Sequence, residues 1–431
     1  MAKTVADNRT EETKRISMIA ALVILFVGFL ATTLSNPQGV SRIPFQNLLK
    51  NQLNASRTDN AAFFFWIGLA WYFKPLVGVF TDAFPFFGSR RRTYILLSTI
   101  LAVISWFGLF LTPIKYNALL AVCVVINVFM VVASTVLGAY MVEVGQETNG
   151  SGRVTSARQI TYWITMMLTG PLGGFLASLR FGATIGFSGG FLFLLVPTVM
   201  FLLHERRVKI DSVVLIHDAR KQLGKIGRAG TMWAAMGLMA LFYMAPGLQT
   251  TLFYRQQDVL HLNTQRIGYL NGIYGACGIV AAVLYGYLTR KINLRNLLFG
   301  CLTLATLGNL FYIVYNTYAA ARLIDGLNGA AYALAECTLM DLAIRATPKG
   351  SEGLGFSLMM SVRNFALFGT DIFGSWLMDK YHVQFPSLVI SNSALTAIAV
   401  PLVAFLPLAM VGHKDAEPLR EPAMPRNMLE Q

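Results

Sequence analysis

Acidic residues are scarce in this chain, with 21 Asp and Glu against 35 Lys and Arg, and all charged residues together make up 13% of 431 residues. Soluble domains ordinarily carry about 25% charged residues, so this composition argues against one. Cysteine is scarce as well. Cys123, Cys277, Cys301 and Cys337 all fall inside apolar stretches without metal-ligand spacing, which excludes a disulfide framework and a zinc site. His204 and His217 lie in a polar central stretch and look uninvolved. The sequence offers no nucleophile paired with a base, no metal cluster and no phosphate loop, so it does not read as an enzyme and implies no cofactor. The glycine-rich run Gly170-Pro171-Leu172-Gly173-Gly174 lies within an apolar helix, where small residues serve helix packing.

Apolar sequence is abundant, and hydrophobic residues make up 55% of the chain. A membrane-spanning helix needs roughly 20 predominantly apolar residues. Twelve blocks of that kind occur, at about 16–35, 60–81, 93–112, 117–143, 154–178, 184–203, 231–253, 266–289, 293–315, 318–344, 352–378 and 388–411. The first is followed by Ser35-Asn36-Pro37-Gln38 instead of a small-residue cleavage site, so it reads as a retained helix and not a signal peptide.

The net charge of +14 does not form a nucleic-acid patch, because the basic residues fill every second connection. Lys14 and Arg15 precede the first block, Arg90 to Arg92 follow the second, and seven Lys and Arg between Arg206 and Arg228 occupy the centre. Arg290, Lys291 and Arg295 follow the eighth, Arg345 and Lys349 the tenth, and Lys414, Arg420 and Arg426 lie in the tail. This positive-inside asymmetry places both termini in the cytoplasm. The expected location is the cell membrane, a bacterial inner membrane, with the lipid bilayer as the first partner.

The stretch at 204–230 divides the blocks six and six. The expected organisation is an N-terminal six-helix bundle over 1–203, a cytoplasmic linker loop over 204–230, and a C-terminal six-helix bundle with a short tail over 231–431. A faint internal repeat supports it. Glu143 ends the fourth block ahead of Asn149-Gly150-Ser151, and Asp341 ends the tenth ahead of Lys349-Gly350-Ser351. Each is followed by a glycine-rich helix with one buried-looking arginine, Arg158 and Arg363. Two six-helix halves related as a parallel repeat are the architecture of the major facilitator superfamily, whose substrates bind near the bilayer midplane between the halves. The expected fold is therefore an all-α membrane protein of twelve transmembrane helices.

The segment from Lys74 to Arg92 reads as a gate. Lys74, Gly78 and Asp82 recur at i, i+4, i+8 along one helix face. Gly78 permits close helix approach, and Pro75 cannot donate to the carbonyl of Trp71, which allows a kink. Lys74 lies roughly 21 Å into a core of about 30 Å, from which it can snorkel inward or pair with Asp82. Pro85 and Gly88 then turn the chain, and Arg90, Arg91 and Arg92 anchor the next helix at the inner surface. Asp82 can accept from these arginines and from the open start of the eleventh helix, Ser351-Glu352-Gly353-Leu354-Gly355. The corresponding C-terminal segment, Gly286 to Lys291, keeps glycine and basic residues but no aspartate.

Lys74-Pro75, Gly78, Asp82, Pro85, Gly88, Arg90-Arg91-Arg92 and Tyr94 resemble the signature of the folate–biopterin transporter family within the major facilitator superfamily. Ile43-Pro44-Phe45 and Leu48-Leu49-Lys50 are similar to the amphipathic element which that family carries after its first helix. The resemblance covers roughly the first hundred residues. It implies secondary transport, often proton-linked, of a folate, a pterin or another small amphipathic organic anion.

A charge at mid-bilayer costs at least about 2.5 kcal/mol and usually faces a cavity or a partner. Glu336, Arg363 and Asp371 are the deepest charges of the C-terminal half. One of the two carboxylates, sharing Arg363, is the candidate for proton coupling; a fixed ion pair that only orients two helices is the alternative. Asp325 and Arg322 stand at i, i+3 and are expected to pair, with Asp325 a further proton site. Among neutral groups, Gln38, Asn127, Trp163 and Tyr243, with Arg363, are the substrate-binding candidates, since a planar ligand could stack on Trp163 or Tyr243 while the amides meet its polar edge. Pro246-Gly247 allows a bend between Tyr243 and Gln249. The chain thus reads as a secondary active transporter working by alternating access with protons as coupling ion, and as a monomer. The competing reading is a proton-antiport exporter of a siderophore, a drug or another amphipathic metabolite. A channel fits less well with two pseudo-equivalent halves and a charged gate.

Overall fold

A computed structural model describes residues 19–84, 89, 91–147, 151–203, 212–348 and 352–412. Among these the architecture is all helical, without a strand. Of the gate residues, Gly88 and Arg90 lie outside the described residues, as do the side chains of Asp82 and of Trp163.

The first half opens with α1 (Ile19–Leu34) and the short α2 (Arg42–Asn51), which buries Ile43, Pro44, Phe45, Leu48 and Leu49. The second apolar block is broken into α3 (Arg57–Ile67), α4 (Leu69–Tyr72) and α5 (Lys74–Ala83). The break falls at Phe73, and Pro75 occupies the first turn of α5, where its missing N–H has no helical acceptor to lose. Then come α6 (Arg92–Gly108), α7 (Tyr116–Glu147), α8 (Ser151–Ser178), α9 (Phe181–Phe193) and α10 (Leu195–Leu202).

The stretch expected to be a loop contains α11 (Ser212–Arg228). Its apolar residues, Val213, Val214, Leu223 and Ile226 among them, are spaced along a helix that its basic residues make polar overall, and Ile226 is buried in the second core. The seventh block is broken at Pro246-Gly247 into α12 (Gly230–Tyr243) and α13 (Gln249–Asp258). A Cβ added at Gly247 would stand 2.5 Å from Cα of Asp371, so glycine alone lets the chain pass there. The second half finishes with α14 (Thr264–Lys291), α15 (Leu294–Leu310), α16 (Tyr318–Ala346), α17 (Glu352–Lys380) and α18 (Phe385–Leu402).

Five described helical spans are long and apolar enough to cross a membrane on those criteria alone: Tyr116–Met141, Phe181–Leu202, Thr264–Lys291, Leu294–Val314 and Phe385–Phe405. α16 and α17, 29 residues each, have the length but carry charges such as Glu336 and Arg363. One large apolar core draws on residues between Ile24 and Leu203, the other on residues between Ile226 and Val411. Large apolar side chains such as Val280, Val283, Leu323 and Ile344 face outward, as a lipid-facing surface requires.

α8 and α14 join the two sets of helices through glycine. Added Cβ atoms at Gly170 and Gly174 would meet the α14 backbone at 2.7 and 2.5 Å. The backbones touch, which is the small-residue packing of membrane helices. Farther along this seam an added Cβ at Gly275 would stand 3.2 Å from the carbonyl of Met166. The next part of α8 carries Tyr162 and Arg158, both exposed.

Candidate functional site

One end of the bundle holds the end of α5, the start of α8, the end of α16 and the start of α17. At 1.5 Å rise per residue, Lys74, Arg158, Tyr162, Glu336 and Arg363 all lie about 10 to 17 Å in from that end. Five polar side chains from four helices thus share one level near the middle of the bundle.

In the second half, Arg363 and Glu336 form a direct ion pair. Arg363 Nε also donates to the Tyr243 hydroxyl at 3.3 Å, and its guanidinium lies 5.0 Å from that ring. Tyr332 packs against Tyr243 with ring centroids 6.3 Å apart, and Tyr274 against Tyr332 at 6.4 Å. The Glu336 side chain keeps 23% of its surface accessible and that of Arg363 16%, so the pair is partly open and not sealed in the core. Tyr162, from the other half, is 37% exposed and lies within electrostatic range of both.

In the first half, Lys74 Nζ donates to Ser134 Oγ at 3.2 Å and lies 5.1 Å from the Trp71 ring. The expected pairing of Lys74 with Asp82 lies outside the described residues. Arg158 lies 5.5 Å from the Phe29 ring, and its charge reaches Lys74. Among the described residues neither cation has a carboxylate partner.

Asp371 does not share Arg363. It accepts from the backbone N–H of Thr250 at 3.0 Å and from its hydroxyl at 2.6 Å, at the start of α13. Its nearest cation is Arg42 of α2, at 3.8 Å, held between Phe64 at 4.6 Å and Phe368 at 5.9 Å. The break at Pro246-Gly247 frees the start of α13 to meet Asp371, which a continuous helix could not do. Asp325 does not pair with Arg322 either. It accepts from the hydroxyls of Tyr312 and Tyr315 at 3.1 and 2.7 Å, while Arg322 lies over Tyr318. Buried Asp325 is reached by two inward-facing phenols, whereas Arg322, one turn away, keeps to an aromatic face and water.

The remaining substrate candidates from the sequence are engaged elsewhere. Asn127 is wholly buried, accepting from Trp71 Nε1 at 2.7 Å and donating to the carbonyl of Cys123 at 3.1 Å. Gln38 donates to the carbonyl of Phe64 at 2.8 Å. Both amides are thus engaged by partners within the first half. Of the gate residues, Arg91 pairs with Glu143 at 2.7 Å and Arg92 donates to the carbonyl of Met200 at 2.9 Å. A Cβ added at Gly78 would meet Thr135 Cγ2 at 3.5 Å, an ordinary contact, so close packing does not require glycine there in this conformation.

The far end is sealed between the halves by polar contacts. Asp379 of α17 accepts from Arg57 Nη1 at 3.0 Å and from the N–H and hydroxyl of Thr58, both at 2.8 Å. Tyr254 donates to the carbonyl of Ala55 at 2.6 Å, and Lys50 pairs with Asp258. A depression of about 540 Å³ bordered by Asn47, Lys50 and Asp258 lies on the outer surface of this seal, away from the central cleft.

The sequence and the fold have close counterparts. Residues 37–421 match the model of the BT1 family. The chain belongs to the BT1 family. It is 23% identical over 413 residues to a folate-biopterin transporter of Synechocystis, covering 91% of this chain and 81% of that one. It is 22% identical over 378 residues to folate transporter 1 of Plasmodium falciparum, covering 84% and 73%. The fold matches a D-xylose-proton symporter with a TM-score of 0.65 at 15% identity, over 91% of this chain and 96% of that one. It matches the nucleoside transporter NupG with a TM-score of 0.62 at 12% identity, over 92% and 100%. This BT1-family chain is therefore a membrane transporter with a major facilitator fold, and not an enzyme.

Two residues near these charges carry only weak signals in the sequence. Arg158 is marked there by the faint repeat alone, as the counterpart of Arg363. Arg42 carries a weaker signal, a lone arginine beside the amphipathic Ile43-Pro44-Phe45 element.

Proposed function

We propose that the chain carries a folate- or pterin-like organic anion across the membrane by alternating access between two six-helix halves, residues 1–203 and 231–431, with proton coupling. The observation that supports this most is the Glu336–Arg363 pair with Tyr243, partly accessible at mid-depth and within electrostatic range of Tyr162 from the opposite half. A carboxylate and an arginine beside a cluster of edge-on and tilted tyrosines suit a flat heterocycle with donor and acceptor edges. The relatives named for folate and biopterin transport favour the same ligand class. Twelve crossings, both termini in the cytoplasm of a bacterial inner membrane, and a monomeric state complete the proposal.

Asp371 is the proposed proton carrier, since Glu336 takes Arg363, and the cation of Asp371, Arg42, stands 3.8 Å away while Thr250 supplies its hydrogen bonds. The segment Lys74 to Arg92 is proposed as the cytoplasmic gate, with Asp82, Gly88 and Arg90 acting when the inner end closes. In this conformation the far end is sealed, which corresponds to a cleft reached from the cytoplasm.

The test is transport by the purified full chain in proteoliposomes, comparing labelled folate and biopterin with a nucleoside and xylose. Saturable counterflow of a pterin compound alone is the expected result. Counterflow of only the nucleoside or xylose would replace the ligand class, and non-saturable flux would favour a pore.

A further inference from the structure

Two arginines and one lysine meet one carboxylate at the level of the cleft. Arg363 and Glu336 neutralise each other. Lys74 and Arg158 remain, and among the described residues they meet a serine hydroxyl, an indole ring and a phenyl ring. Cations near mid-membrane without a carboxylate partner among the described residues are costly. Such charges persist where they face water and where a ligand brings the opposite charge. Arg158 is exposed beside Tyr162, below the point at which α8 leaves the glycine seam with α14.

The two halves therefore present unlike chemistry to the same cleft. Glu336 uses one carboxylate oxygen on Arg363, which leaves the other able to accept from an amino and ring N–H edge. Among the described residues the charged groups on the opposite side, Lys74 and Arg158, are both cations. From this, and resting on the proposed pterin reading, we propose that Lys74 and Arg158 are an anion subsite. They receive the carboxylate end of a ligand whose flat, hydrogen-bond-donating end lies at Glu336 among Tyr162, Tyr243 and Tyr332. The ligand class is a heteroaromatic compound with an acidic tail, and a neutral pterin would fill only half of the site. A salt link to arginine can be bidentate, which Lys74 cannot replace, so Arg158 is the stronger of the two holds.

Equilibrium binding to the detergent-purified full chain separates the two ends. The probes are folate, which carries both ends, biopterin, which lacks the acid, and p-aminobenzoylglutamate, which lacks the pterin. For Arg158→Gln the expected result is at least a tenfold loss of affinity for folate and for p-aminobenzoylglutamate, with biopterin within twofold of the unsubstituted chain. Arg158→Lys should recover part of the loss, and an unchanged melting temperature without ligand shows that the variants are folded. Lys74→Gln should show the same pattern at smaller size. Equal losses for folate and biopterin, or none, would overturn the anion subsite while leaving the pterin reading standing. Failure of the unsubstituted chain to bind any of the three would overturn both.

Discussion

Arg158 and Arg363 each stand in a glycine-rich helix that follows one with an acid near its end, yet they meet opposite fates. Arg363 has Glu336 one helix away and Tyr243 above it. Arg158 has Phe29 and the field of a lysine. The acids that precede them differ as well. Glu143 takes Arg91 from the turn between α5 and α6, while Asp341 takes Arg345 from its own helix at i+4, together with the Tyr285 hydroxyl. The first half ties Glu143 to Arg91 of the motif segment, whereas the second half pairs Glu336 and Asp341 within itself and turns Asp258, Asp371 and Asp379 toward cations of the first half.

Removing the matched arginine should have the largest effect. Arg363→Ala leaves Glu336 without its cation in a cleft that is only partly wet. Breaking a buried pair costs about 3–5 kcal/mol, and the accessible surface of this pair lowers that to about 1–3 kcal/mol. The expected outcome is loss of transport together with a fall in melting temperature of several degrees. If the two readouts separate, so that melting is unchanged and only binding is lost, Arg363 acts on ligand more than on the fold. Glu336→Gln should be milder in stability, because the freed arginine can turn toward Tyr243 and water.

The next contrast is between the two carboxylates of the second half. Asp371→Asn keeps the hydrogen bond from the Thr250 N–H and removes the charge that Arg42 faces. Accumulation driven by a pH gradient should be lost, while exchange of labelled for unlabelled substrate persists, since exchange needs no net proton movement. Arg42→Gln should impair both. Retained gradient-driven accumulation in the Asp371→Asn variant would move the proton elsewhere, Asp325 being the next carboxylate to test.

The difference between these acids was only partly legible in the sequence. Block lengths and the alternation of basic connections carry the fold, because both follow from the thickness and surface charge of a bilayer. The pairing of Arg363 with Glu336 follows from depth, as two charges at one level in neighbouring helices have few other choices. Asp371 with Arg42, and Asp325 with Tyr312 and Tyr315, do not follow. Each depends on where a helix breaks or how it is rotated, and spacing along one helix cannot show what faces it across a gap. Asn127 misleads for the same reason. A polar residue in an apolar helix looks like a ligand contact until Trp71 is seen donating to it.

The two ends of the bundle give a smaller effect. Asp379→Ala removes a capping acceptor from α3 and the partner of Arg57. A lost cap costs about 1 kcal/mol and a surface ion pair less than that, and 1–2 kcal/mol corresponds to about a 5- to 30-fold change in population. A cysteine placed at Asn60, buried beside Tyr254 in the seal, should then react faster with a membrane-impermeant maleimide added at that face. No change in labelling would mean that the seal is held by Lys50–Asp258 and Tyr254 instead.

The smallest effect should come from Gly78, and it sharpens the comparison between seams. At Gly174 an added methyl would stand 2.5 Å from the carbonyl of Thr264, while at Gly78 it would stand 3.5 Å from a threonine methyl. Gly174→Ala must therefore push α8 off α14, whereas Gly78→Ala fits as it stands, and as a helix-interior change from glycine it gains about 0.5–1 kcal/mol in propensity. The melting temperature of Gly78→Ala should stay the same or rise by a degree or two. If its transport rate nevertheless falls, close approach of α5 is needed in the conformation in which the inner end closes, and the motif glycine acts there. If transport is also unchanged, Gly78 has no part in the gate, and the weight of the motif rests on Asp82 and the arginines.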